Sequence, residues 1–134
     1  MQLIRKLATA EDLLRYYLVQ QGKSSPAVPL LRECVAIRDK AMPNDWRRFF
    51  AMSLLGWALL DQAQYVEAEP LFVAGYEGMK AREAKIPAVS KPHLSNAARQ
   101  VVRLYEAWDK REQAQSWAAK VGLAELPMDV LEKP

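Results

Sequence analysis

The sequence predicts an all-α protein built from pairs of helices repeated along the chain. Three observations predict it. Apolar residues recur at helical spacing with no stretch of strand-like alternation, turn-forming residues separate the apolar runs, and the chain resembles itself at fixed offsets. Ala27-Val28-Pro29-Leu30-Leu31 lines up with Ala68-Glu69-Pro70-Leu71-Phe72, 41 residues on. The same offset pairs Leu14 with Leu55, Leu18 with Leu59 and Gly22 with Ala63. A third copy begins 46 residues beyond the second: Ala114 matches Ala68, Ala118 matches Phe72, Val101 matches Leu55 and Tyr105 matches Leu59. Its match is weaker, as a terminal repeat with a different packing environment requires.

Each repeat reads as two helices, six in all. Thr9 caps the first, with Asp12 three residues on, and Leu14 and Leu18 mark its apolar face. Gly22-Lys23-Ser24-Ser25-Pro26 ends it, and Ser25 before Pro26 starts a second helix that runs to about Lys40. Pro29 and Pro70 each fall near the start of a second helix, where the missing N–H costs least. Pro43-Asn44-Asp45 closes the first repeat, with Asn44 or Asp45 as the cap of the next helix. Later breaks fall at 62–64, 86–91 and 109–110. A single domain of three repeats follows, at about 9–42, 45–86 and 91–121, with 122–134 an irregular tail or short cap.

The third helix is apolar on two faces. Phe49, Met52, Leu55, Gly56 and Leu59 mark one, and Phe50, Leu54, Trp57 and Leu60 the other. Such a helix is covered on both sides or offers one side to a ligand. Gly56 costs about 1 kcal/mol against alanine inside a helix, so a close helix–helix approach is the expected compensation. The same reasoning applies to Gly75 and Ala68 on the following helix.

Composition narrows the function. The 134 residues are 51% hydrophobic and 26% charged, an ordinary globular balance. One cysteine and one histidine exclude a disulfide framework and a Cys/His zinc site, so no metal or cofactor is expected. The net charge of +3 is spread among interspersed acids and bases, which argues against nucleic acid as a partner. The richest apolar window, residues 49–60, falls short of the ~20 residues that cross a bilayer. No membrane partner is expected, and with no signal-like run near Met1 the expected location is cytoplasmic. Catalysis is not expected either. No phosphate loop, nucleophile elbow or zinc-protease motif occurs, and Glu67 and Glu69, two apart, point to different sides of a helix. Cys34 reads as a small buried hydrophobe and His93, beside Pro92, as a bland surface residue. Trp108 reads as a packing residue at the end of its helix, and Arg47-Arg48 and Lys110-Arg111 as solvated dibasic pairs.

The stretch Leu55-Gly56…Leu59…Ala63-Gln64-Tyr65…Ala68…Phe72…Gly75 resembles the tetratricopeptide repeat. The departures are Leu59 for an aromatic, Ala63 for glycine and Gly75 for alanine. The long periods, with Cys34-Val35-Ala36-Ile37-Arg38-Asp39-Lys40-Ala41, are similar to the kinesin-light-chain type of repeat. Glu67-Ala68-Glu69-Pro70-Leu71 also resembles repeat arrays at the C-terminal end of large bacterial proteins. The resemblance covers roughly residues 10–121. It implies a right-handed α-solenoid whose concave groove, lined by the first helix of each repeat, binds a peptide or protein segment.

By that register the groove positions are Asp12, Leu13, Tyr16 and Val19, then Phe50, Leu54, Trp57 and Leu60, then Asn96, Arg99, Gln100 and Arg103. The carboxylate clamp of chaperone-binding members is not reproduced at Asp12, Tyr16, Leu54, Asn96 and Gln100. What remains is an apolar and aromatic floor (Tyr16, Phe50, Leu54, Trp57) beside Arg99 and Arg103, one helical turn apart. Aromatic anchors beside arginine are the material of binding hot spots. The expected ligand is a segment with a large apolar anchor and acidic flanks, and Trp57→Ala is expected to weaken it by about 2 kcal/mol. Two other uses of the stripe stay open. Phe50, Leu54 and Trp57 could be core, or the stripe could join copies of the chain in a homo-oligomeric scaffold.

Overall fold

Prolines, small polar residues and turn formers delimit five α-helices. In the computed structural model, which describes residues 23–123, these are α1 (Val28–Ala41), α2 (Trp46–Asp61), α3 (Tyr65–Ala81), α4 (Pro92–Ala107) and α5 (Arg111–Val121). Single 3-10 turns lie at Ser25–Ala27, Glu83–Lys85 and Ala88–Ser90. The described chain is all-α. The expected helix after Thr9, including Tyr16, lies outside the described residues, as does the tail from residue 124. Asp45, of the two candidates, caps α2: its carboxylate accepts from the Arg47 backbone N–H at 2.9 Å.

Pro70 departs from expectation. It is the sixth residue of α3, not a first-turn residue, so its missing N–H removes an intrahelical bond to Val66. Val66 is 77% exposed, which leaves solvent to serve the orphaned carbonyl.

Short connections make chain neighbours antiparallel, and side-chain contacts fix the arrangement. Tyr105, late in α4, donates its hydroxyl to Glu69, early in α3, at 2.8 Å. Arg32 pairs with Glu67 at 2.6 Å, and the Tyr76 and Trp117 rings meet edge-on at 5.9 Å, so α1, α3 and α5 run parallel in one layer. Helices α2 and α4 form the second layer and touch each other.

The repeat register is visible in burial. Ala27, Leu31, Cys34 and Arg38 are buried along α1 and its lead-in turn, and the positions 41 residues on, Ala68, Phe72, Gly75 and Met79, are buried along α3. Glycines bring α2 and α3 together as expected. A Cβ on Gly56 would lie 3.1 Å from the Phe72 ring, and one on Gly75 would lie 2.9 Å from the Phe49 carbonyl oxygen.

The two hairpin turns share most of their backbone hydrogen bonds at the 46-residue offset. Gln64 N–H donates to Leu59 O at 2.9 Å and Lys110 N–H to Tyr105 O at 2.8 Å. Ala68 and Ala114 then donate to Gln64 O and Lys110 O, both at 3.0 Å. The middle residue of each turn, Ala63 or Asp109, takes a left-handed backbone with φ of 58°. That conformation costs an L-residue roughly 1–2 kcal/mol, less for aspartate than for alanine. Ala63→Gly should therefore stabilise the protein by about 0.5–1 kcal/mol after glycine's extra chain entropy, read as a higher urea midpoint at unchanged slope.

Candidate functional site

The candidate face belongs to the α2–α4 layer. On α2, residues 50, 54 and 57 share one side because three- and four-residue steps return to the same face. On α4 the corresponding run is His93, Asn96, Gln100 and Arg103, with Arg99 at its edge. The two faces meet at the helix starts, where the Phe50 and His93 rings stack with centroids 4.2 Å apart. Trp46 lies beyond Phe50 at 6.2 Å.

Burial sorts these residues sharply. Phe50, Leu54 and Trp57 are 8%, 5% and 7% exposed and belong to the hydrophobic core cluster. Asn96, Arg99 and Gln100 are also buried, and the Gln100 amide donates to Asn96 Oδ1 at 3.3 Å. Leu60 is half-buried, and Arg103 is exposed. Tyr16, with Asp12, Leu13 and Val19, lies outside the described residues. Phe50, Leu54 and Trp57 lie on α2 and Arg99 and Arg103 on α4, two helices that touch, with Arg103 alone of these five at the surface.

Three features were not visible as sequence patterns. His93 is not a bland surface residue: it is half-buried and stacked on Phe50. Arg38 is 5% exposed and donates Nη1 to the Arg47 carbonyl at 2.6 Å, tying the end of α1 to the start of α2. Its alignment with Met79 at the 41-residue offset was the available signal. Residues 42–47 with Arg82 and Lys85, far apart in sequence, flank an open cleft of about 470 Å³.

Titratable groups follow local partners. The Arg47 guanidinium, bonded to both Asp45 oxygens, holds that carboxyl at about 2 against burial that acts the other way. Burial first, then the bond to Glu69, pushes the Tyr105 hydroxyl up to about 12. The Asp45 shift makes part of the stability acid-labile. Its folded value lies below the unfolded one, so the contribution is full above about 4 and is lost as pH falls toward about 2. Asp45→Asn keeps a good cap without the charge and should flatten the dependence of the urea midpoint on pH in that window. Asp45→Ala should cost about 1 kcal/mol at neutral pH.

No family model matches the chain, and no curated protein or solved structure matches it. The site therefore has to be read from its own chemistry. Among the described residues no group of three or more His, Cys, Asp or Glu is placed to hold a metal ion. No described helix is long and apolar enough to cross a membrane. The tryptophans outside the layer are packed: Trp108 stacks on Tyr65 at 5.7 Å, and Trp117 meets Tyr76. The first dibasic pair is engaged as well, Arg47 with Asp45 and Arg48 with Asp39.

Proposed function

We propose that this chain is a non-catalytic protein-interaction module of the tetratricopeptide-repeat type, working in the cytoplasm on a segment of a partner protein. The observation that carries the reading is the α2–α4 layer, in which an apolar, aromatic helix face lies alongside a face bearing Asn96, Arg99, Gln100 and Arg103. Helix pairs whose first members stand side by side in one layer are the plan of peptide-binding repeat arrays. Arg103 at the surface supplies charge to the acidic flank of a ligand, and the half-buried Leu60 and His93 supply apolar contact at the rim. Phe50, Leu54 and Trp57 support that rim from beneath and set the spacing of the two helices.

Arg103→Glu tests this without touching the core. A tryptophan-containing acidic peptide should bind the wild type, and the variant should bind it at least tenfold more weakly with an unchanged circular dichroism spectrum. Equal binding by the two proteins would remove Arg103 from the site. Light scattering tests the self-association alternative. A mass of 15.2 kDa at all concentrations fits capture of a foreign segment. A concentration-independent dimer that persists in Arg103→Glu would give the apolar layer to a second copy.

A further inference from the structure

The cleft between the α1–α2 connection and the start of the α3–α4 connection carries a surplus of positive charge. Its lining acid, Asp45, pairs with Arg47 at 2.8 Å, and of the nearby acids Asp39 pairs with Arg48 at 2.7 Å and Glu83 with Lys80 at 2.9 Å. Arg82 and Lys85 remain, and among the described residues neither pairs with a carboxylate. Arg82 is held in place by carbonyls. Its Nε donates to Asn44 O at 2.8 Å, its Nη1 donates to Gly78 O at 3.0 Å, and its plane sits 4.5 Å from the centre of the Phe49 ring. A guanidinium fixed in this way loses little freedom when it takes a ligand. Lys85 is exposed on the cleft wall. The half-buried Trp46, with Met42 and Pro43, gives the cleft an apolar side.

We infer that this cleft is a docking site for a carboxylate-rich segment of a partner protein, with Arg82 and Lys85 receiving its acidic side chains and Trp46 its apolar stems. The site goes beyond the α2–α4 layer and stands without it. One observation favours carboxylates over the phosphates of a nucleic acid: the surplus cations, Arg82 and Lys85, sit together on one cleft wall and do not run in the stripe that tracks a phosphate backbone.

The test titrates hexaglutamate, hexalysine and hexathymidylate into the wild type while amide chemical shifts are followed at 25 and 200 mM salt. Hexaglutamate should shift amides within residues 42–47 and 82–85 and bind at least fivefold more weakly at the higher salt. Hexalysine should shift neither segment. Lys85→Glu should weaken hexaglutamate fivefold or more, whereas Arg103→Glu should leave these shifts unchanged, which separates this site from the proposed groove. The inference is overturned if hexaglutamate leaves both segments unmoved, if Lys85→Glu binds it as well as the wild type does, or if hexathymidylate saturates the same amides at lower concentration.

Discussion

Trp57→Ala should unfold the protein more readily by about 3–5 kcal/mol, the usual cost of deleting a buried indole. Trp57 is 7% exposed in a continuous cluster with Leu54, Ala58, Phe72 and Val101, so its removal leaves a void that close-packed neighbours fill only in part. Urea denaturation followed by circular dichroism reads the loss directly. Any binding defect in this variant has to be measured at a temperature where it is still folded. Trp57→Phe, which keeps most of the apolar volume, should recover most of the stability. A stability loss under 1 kcal/mol in Trp57→Ala would instead make the ring a ligand anchor, and the α2–α4 layer would then be a groove floor.

Gly75→Ala is expected to destabilise by about 2 kcal/mol despite alanine's advantage of roughly 1 kcal/mol in helix propensity. The added Cβ would press on Ser53 Oγ and come within 2.9 Å of the Phe49 carbonyl oxygen. The hydroxyl can rotate away. The carbonyl is part of the α2 backbone and yields only if the two helices separate, which loosens Phe72 and Met79 between them. Gly56→Ala is the internal comparison. Its Cβ would meet only the side chain of Phe72 at 3.1 Å, so its cost should be smaller than that of Gly75→Ala. Equal midpoints for Gly75→Ala and the wild type would mean that the helices part without loss.

Much of the fold was legible because it is local. The 41- and 46-residue offsets place the buried positions of α1 on those of α3, and the hairpin turns on each other, since each hairpin repeats one solution to one packing problem. Residue type narrowed the cap of α2 to Asn44 or Asp45, and only the backbone geometry gives it to Asp45. Pro70 was misplaced because the helix begins at Tyr65, five residues earlier, and a proline inside a helix is tolerated where its orphaned carbonyl faces solvent. Arg38 was missed because charged residues are seldom buried, and its partner, the Arg47 carbonyl, belongs to the next helix. The candidate site was legible only as a set of positions. Periodicity puts Phe50, Leu54 and Trp57 on one face, but the same pattern describes a groove floor and a core, and only exposure tells Arg103 from Arg99. The basic cleft had no sequence signature, since its walls are about forty residues apart in the chain.

The two hairpins and the joint between them have different mechanical characters. Within α2–α3 and α4–α5 three-residue turns are closed by backbone hydrogen bonds, whereas α3 reaches α4 through residues 82–91, stitched by exposed bonds from Arg82 and Lys91 and plugged by Ile86, 2% exposed. Exposed hydrogen bonds open at little free-energy cost. Across the same joint the packed α3 and α4 are tied by the part-buried bond from Tyr105 to Glu69, so the joint pairs a fixed interior with an exposed, separable edge at residues 82–91. A ligand that grips Arg82 takes hold of that edge and leaves the interior of the joint in place.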